Sequence, residues 1–476
     1  MRILPKLIVF IFLPTVGFAQ QPKWDLKRII DFAMANNIGV RQSEIQARLS
    51  YLTLKQSKLS QIPSLVFSDN LGYSSGRNQD PTTFTLITKG YLSSSMQLQS
   101  NVELFNWYSK RNTIAANNYE LQASIANVEK QKNDIALVVA NAYLQALLAI
   151  EQTKIAQIQL QQSQTQLATT RKRVSAGALP ALYEAELEAQ VARDSAAYIG
   201  TQANIELNLL FLKAYMSLDA DQPLEIETPA VDKIPVENIA DLQPETVFAL
   251  AVKNLPQQRV NELRFLAAQK NSAAAHGAMM PVVSLFGSLG SNYNNRAQEI
   301  SGVNYFTVPI GKVSVNGTDY DVLPLQPFSS YTFDKPDYFK QTGENFRQTV
   351  GVGVSVPLFN SGIARTNYER SKLNIKTAEL QKLQDNQKIK QDIYQAYNAA
   401  LVALQKLNAS KITAQAAERS YEFAVKRFNV GMLSTFELTT SQNNLFTARS
   451  QFVLNQFDYI FKMKVLEFYK GMGLKL

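Results

Sequence analysis

Arg173-Val174-Ser175-Ala176-Gly177-Ala178-Leu179 and Arg427-Phe428-Asn429-Val430-Gly431-Met432-Leu433 carry one pattern twice: an arginine, a glycine four residues later and a leucine two beyond that. Each ends a long run without proline or glycine, from Trp107 to about Ser175 and from Ile363 to about Val430. Such runs predict unbroken helices, and at ~1.5 Å per residue each reaches on the order of 100 Å. Tyr394, Tyr397, Leu401 and Leu404 follow the three–four spacing of a coiled-coil seam. A rod of that length cannot fold into a globule and must pack lengthwise against other rods. Glycine takes the left-handed conformation that ends a helix. The chain is therefore expected to turn at Gly177 and at Gly431 and to return as a second helix.

Outward from these turns the chain repeats itself. At a shift of 254 residues, Val102-Glu103-Leu104-Phe105-Asn106 falls on Val356-Pro357-Leu358-Phe359-Asn360, and Ala142-Tyr143 on Ala396-Tyr397. Nearer the N-terminus the shift is 218 residues: Ala33-Met34-Ala35-Asn36 falls on Ala251-Val252-Lys253-Asn254, and Pro63 on Pro281. The second copy thus holds 36 more residues, all between Gly290 and Val350. Offsets this constant indicate a duplicated domain. The reading places a first copy at 20–218, a linker at 219–244 and a second copy at 245–476 with an extra loop at about 291–349. Pro223, Pro229, Pro235 and Pro244 keep the linker extended.

Each copy opens with a helical pattern, roughly Asp25 to Ser60 and Pro244 to Gly277, and changes period after a proline. Beyond Pro63, Leu65, Phe67, Leu71 and Tyr73 alternate with polar residues, as Val283, Leu285 and Leu289 do beyond Pro281. Met96, Leu98, Val102 and Leu104 alternate with Gln97, Gln99, Asn101 and Glu103; Val350, Val352, Val354, Val356 and Leu358 alternate with Gly351, Gly353, Ser355 and Pro357. Period two marks strands. One apolar face fits a transmembrane barrel strand, or a sheet half buried on a soluble core. Four strands per chain cannot close a membrane barrel, for which ~8 is the usual minimum. Strands that cross a membrane here must be shared among several chains.

Composition removes other classes. With 46% hydrophobic and 18% charged residues, disorder is not expected. The absence of cysteine excludes disulfides, thiolate metal sites and a lipid-anchored N-terminal cysteine. The single histidine, His276, lies where a helix gives way to a strand and reads as structural. Without paired carboxylates in a cleft, a phosphate loop or a metal cluster, no enzyme activity, metal or cofactor is expected. Arg2, Lys6, the apolar run Leu7 to Val16 and Ala19 read as a signal peptide over 1–19. The basic residues are scattered, and Arg171-Lys172-Arg173, the densest cluster, suits a solvated helix face better than a nucleic-acid site. Ile135 to Ile150 comes nearest to a transmembrane helix, but it is short, and Asp134 and Glu151 bound it. It reads as a buried helix segment.

The two turn motifs, Val356-Pro357-Leu358-Phe359-Asn360-Ser361-Gly362 and the duplicated order of elements resemble the TolC family of outer-membrane efflux and secretion channels. The resemblance covers nearly the whole mature chain. It implies an α+β membrane protein built from a duplicated helix–strand–strand–long helical hairpin unit. Three copies would form a twelve-stranded β-barrel in the outer membrane of a Gram-negative bacterium, continuous with a twelve-helix periplasmic α-barrel. It further implies a passive exit duct that receives substrates from an inner-membrane pump through a periplasmic adaptor. Arg173, Gly177, Leu179, Arg427, Gly431 and Leu433 would form the adaptor-docking tips. Glu437, six residues past Gly431, would form the periplasmic entrance constriction, whereas Thr440 stands where the family often has a second acid. A ring of carboxylates there would attract cations; an ordinary solvated glutamate is the alternative. Gln152 to Gln166 read as a solvated face, and the arginines as braces of the turns. The rival functions are a periplasmic coiled-coil adaptor, which would carry one hairpin and not a duplicated unit, and a structural filament protein, against which the strand pairs speak.

Overall fold

The structure, a computed structural model, describes residues 23–79, 84–229 and 234–471. The expected signal peptide lies outside them. The first copy comprises helices α1 (Leu26–Asn36) and α2 (Ile38–Leu59), strands β1 (Ser64–Ser74), β2 (Arg77–Gln79), β3 (Leu86–Thr88) and β4 (Tyr91–Phe105), and helices α3 (Ser109–Ser175) and α4 (Ala181–Met216). The second comprises α5 (Pro244–Asn254), α6 (Pro256–Gly277), β5 (Val282–Asn294), β6 (Glu299–Phe306), β7 (Gly311–Val315), β8 (Thr318–Val322), β9 (Phe328–Asp334), α7 (Tyr338–Glu344), β10 (Arg347–Ser355), α8 (Ile363–Asn429) and α9 (Thr435–Tyr469). Helices α1 and α2 recur as α5 and α6 at a shift of 218 residues, and α3 recurs as α8 at 254, with the same ends.

The opening helix of each copy is two helices, where the sequence pattern predicted one. The breaks fall at equivalent residues, Asn37 and Leu255, both extended, at ψ 132° and 131°. Leu255 precedes Pro256, and a residue before proline is pushed out of the helical region. Asn37 turns its side chain to the new helix instead: Oδ1 accepts from the Gly39 N–H at 2.9 Å and Nδ2 donates to the Tyr215 carbonyl at 2.8 Å.

The chain divides into two units. One holds 51–120 and 265–377. Its main sheet has the order β1-β4-β5-β10, all antiparallel, leaving β1 and β10 as open edges. Paired residues share a face, and faces alternate along each strand. One face carries Leu65, Phe67, Leu71, Tyr73, Met96, Leu98, Leu285, Leu289, Val350, Val352 and Val354. The other carries Ser68, Asn70, Gln97, Gln99, Asn101, Ser284, Ser288 and Thr349. β1 is exposed along its whole length, and Leu65, Phe67, Leu71 and Tyr73 are each about 70% exposed. Gly351 and Gly353 have a reason here: the Phe286 ring lies over them, and a Cβ on Gly351 would stand 2.7 Å from its Cζ. His276 packs edge-to-face on Tyr368, with centroids 5.3 Å apart. The extra segment is structured: β6 pairs with β9 and β7 with β8, the latter through Asn316-Gly317, both at positive φ as a tight hairpin turn requires.

The other unit holds 1–50, 121–264 and 378–476. Helix α3 holds a window apolar enough to cross a membrane by length and composition, half of it buried. The stretch Ile135 to Ile150 contributes core residues: Val139, Ala140, Tyr143, Leu144, Ala146 and Leu147 are buried with Ile29 and Ala33 of α1 and Leu212 and Met216 of α4. The linker is strapped to this core. Trp24 and Ile226 form a bridge, and the Tyr143 hydroxyl donates to the Glu227 carbonyl at 2.6 Å. Farther along, the Glu237 N–H donates to Glu467, whose carboxylate pairs with buried Lys464 at 2.8 Å.

Candidate functional site

Both helical turns have the geometry that their glycines announce. Gly177 has φ +69° and Gly431 φ +78°, and a Cβ on either would meet nothing within 4 Å. Glycine is needed there for its backbone and not for space. In the first turn the Ala178 N–H donates to the Arg173 carbonyl at 2.8 Å and the Gly177 N–H to Val174 at 2.9 Å. In the second, the Met432 N–H donates to the Arg427 carbonyl at 2.9 Å and the Gly431 N–H to Phe428 at 3.0 Å. This paired closure satisfies the last carbonyls of a helix. Arg427 also reaches over its turn, Nη2 donating to the Met432 carbonyl at 3.5 Å. The Arg173 side chain makes no such bond among the described residues.

The two tips are held differently. In the first, the Arg171 guanidinium joins α3 to α4, with Nε donating to Glu184 at 3.0 Å and Nη2 to Glu188. Counterparts 254 residues on are Val425, Leu438 and Gln442. There Ala424, Phe428 and Leu438 form a buried cluster, with Tyr421, Val425 and Leu433 packed against it. Leu433, half-buried, thus packs on the tip core; Leu179 is also half-buried. Around the two turns the apolar side chains of Leu182, Val430, Met432 and Phe436 stand exposed by roughly two-thirds.

Glu437 lies on the first turn of α9, where it completes a capping box. The Ser434 hydroxyl accepts from the Glu437 N–H at 3.2 Å. The Glu437 carboxylate accepts from the Ser434 N–H at 3.0 Å and from its hydroxyl at 2.8 Å. The backbone bond, then the hydroxyl bond, then the nearby Arg427 charge hold this carboxyl below the usual glutamate range. It is exposed, ionised and fixed in direction.

Behind the tips runs a polar seam. The glutamines of α3 do not share one solvated face as expected: Gln159 is buried and Gln166 half-buried. The Gln166 amide donates to the Tyr421 hydroxyl at 2.8 Å, tying α3 to α8. Gln190, buried on α4, donates to Asp194 at 2.9 Å and to Asn443 of α9 at 3.0 Å. Burial pushes the Asp194 carboxyl up, against the hydrogen bond from Gln190, the nearby polar groups of Ser163 and Gln159 and the charge of Arg193. Asp194 Oδ2, Gln159 Nε2 and both side-chain polar atoms of Gln442 are buried without partners. The clue in the sequence was Gln159, Ser163 and Gln166 at three–four spacing, a pattern that a buried helix face shares with an exposed one. Among the described residues no group of three or more acidic or histidine side chains could hold a metal. The arrangement offers exposed apolar surface and a fixed negative charge.

A model of the outer membrane efflux protein family matches residues 29–217 and 248–460, most of both copies. The chain is 20% identical over 428 residues to the outer membrane efflux protein BepC of Brucella suis biovar 1 (strain 1330), covering 90% of this chain and 81% of that protein. Its fold is similar to that of CusC, with TM-score 0.74 at 15% identity over 96% of each chain. It is also similar to the Campylobacter jejuni CmeC outer membrane channel, with TM-score 0.71 at 16% identity over 94% of this chain and 86% of that one. Spanned by the family model through both copies and both tips, this chain belongs to the outer membrane efflux protein family and is an outer-membrane efflux channel protein.

Proposed function

We propose that this chain is one of three identical subunits of a passive exit duct. The observation that carries the reading is the main sheet, with four strands, two open edges and one exposed apolar face. Exposed edges and a wide apolar face are both unstable in water. Lipid against the apolar face and a neighbour's strand on each edge would satisfy both. Joining β10 of one copy to β1 of the next, three times, closes twelve strands around a lumen lined by the serine, glutamine and asparagine face. The long hairpins α3–α4 and α8–α9, six from three copies, would make the periplasmic helical barrel. Aromatic residues mark both ends of the sheet as at membrane interfaces: Phe105, Trp107 and Tyr108 cluster at one, and Tyr293 and Tyr338 at the other.

The tips would receive a periplasmic adaptor, which couples the duct to an inner-membrane pump. Rigid turns at Gly177 and Gly431 and the exposed Leu182, Val430, Met432 and Phe436 support a docking surface there. Glu437, exposed on the first turn of α9, would contribute one carboxylate per copy to an entrance ring. The duct itself performs no chemistry. Native mass measurement of the detergent-extracted protein is expected to give a trimer; a stable monomer would overturn the shared barrel.

A further inference from the structure

The long ribbon of the second copy has two unlike faces. Ile300 pairs with Phe333, Val303 with Tyr331 and Tyr305 with Ser329, so the five apolar members of these pairs share one side. All five are exposed, by 40% to 71%. The opposite side carries Gly302, Asn304, Ser330 and Thr332, with the Phe306–Phe328 pair at its end. A lone two-stranded ribbon is marginal in water, and an apolar patch left bare on it marks an interaction surface.

The ribbon is held at both of its ends. At its start, the Leu92 N–H donates to Asn295 Oδ1 at 2.9 Å, the Asn295 N–H donates to the Leu92 carbonyl at 3.0 Å, and Arg296 Nε donates to the Gly90 carbonyl at 2.7 Å. At its return, buried Gln341 of α7 acts in place of a strand. Its Oε1 accepts from the Asn294 N–H at 2.5 Å and its Nε2 donates to the Asn294 carbonyl at 3.1 Å. Tyr338 lies against Tyr293 and points its hydroxyl at Met96, both on the apolar face of the main sheet. The segment is therefore anchored at the rim of the main sheet's apolar face, and the ribbon's own apolar face stays exposed.

The topology says what stands next to it. The ribbon joins β5 to β10, and β10 is an open edge. The other open edge, β1, leads directly into β2 and β3. Closing β10 against β1 of another copy sets that copy's β2–β3 hairpin beside the ribbon. This hairpin offers bare apolar groups of its own, Phe84 at 71% and Leu86 at 64% exposure. We propose that the apolar face of the β6–β9 ribbon is a docking surface for the β2–β3 hairpin of a second copy, three such contacts stapling the outer rim of the duct. The proposal rests on the shared barrel described above.

The chain has no cysteine, so an engineered pair reports contact without background. Val303→Cys combined with Phe84→Cys, and separately Tyr305→Cys with Leu86→Cys, would be oxidised in the full-length protein in outer membranes and run on non-reducing gels. At least one pair is expected to yield covalent dimer and trimer, with neither in the single variants. Crosslinking of Val303→Cys or Tyr305→Cys alone would show ribbon against ribbon and overturn the proposal. So would intact trimers in which neither pair crosslinks, which would leave the face to lipid. A monomer by native mass would overturn the shared barrel itself, a result distinct from either.

Discussion

Glu437 stands where a helix presents unpaired N–H groups and the positive end of its dipole. Its folded-state pKa is depressed, first by the Ser434 backbone bond. The stabilisation is therefore full above the unfolded pKa and is lost as pH falls through the folded one. At neutral pH the group is a permanent negative charge. Glu437→Gln should weaken the channel's preference for cations, read as a shift in reversal potential across a salt gradient; an unchanged potential would reject the entrance ring. Gly177→Val and Gly431→Val put a branched side chain at φ near +70°. Each should destabilise its turn by ~1–2 kcal/mol, seen as faster amide exchange at the ends of α3 and α8. Asparagine at the same positions should recover part of the loss, since it tolerates this conformation. Both glycines were legible in the sequence because a helix stop is a local event. Ser434 and Glu437 also carried a local signature, serine followed three residues later by glutamate. By its position in the motif the glutamate reads as pore charge or solvated surface; the structure shows that it also caps α9.

At the scale of elements, the seam behind the tips is the unusual part. A buried carboxylate whose pKa is raised disfavours the folded state once it ionises. For Asp194 this penalty is absent below the unfolded pKa, grows as pH rises between the unfolded and the folded pKa, and is full above the folded one. Asp194→Asn should therefore raise the melting temperature at pH 7 and flatten its fall as pH rises above the ordinary carboxylate range. A melting temperature that falls at pH 7 would mean that the ionised form is needed. The seam was not legible because glutamine patterns read alike on buried and exposed helix faces. The same limit hid the pairing of Arg171 with Glu184 and Glu188, which looked like a solvated basic cluster. The break at Leu255 had its sign in Pro256, whereas the break at Asn37 depends on a carbonyl of Tyr215, far along the chain.

For the whole molecule, assembly should protect particular strands. β4 and β5 have partners on both sides within one chain, and β1 and β10 on one side only. Hydrogen exchange should find β4 and β5 protected in the separated subunit as well as in the assembly, with the outward-facing amides of β1 and β10 gaining protection only on assembly. Equal protection of all four strands in a separated subunit would argue against edge-to-edge closure. The sequence by itself determined the duplication, the length of α3 and α8, the turns at Gly177 and Gly431 and the two faces of each strand. These follow from periodicity and backbone freedom, which act within a few residues. Only the tertiary structure decided that β1 and β10 are the open edges, that Gln159 and Asp194 are buried together, and that Gln341 closes the end of β5. Those are contacts between residues tens to hundreds of positions apart, and no local pattern records which distant partner a side chain will meet.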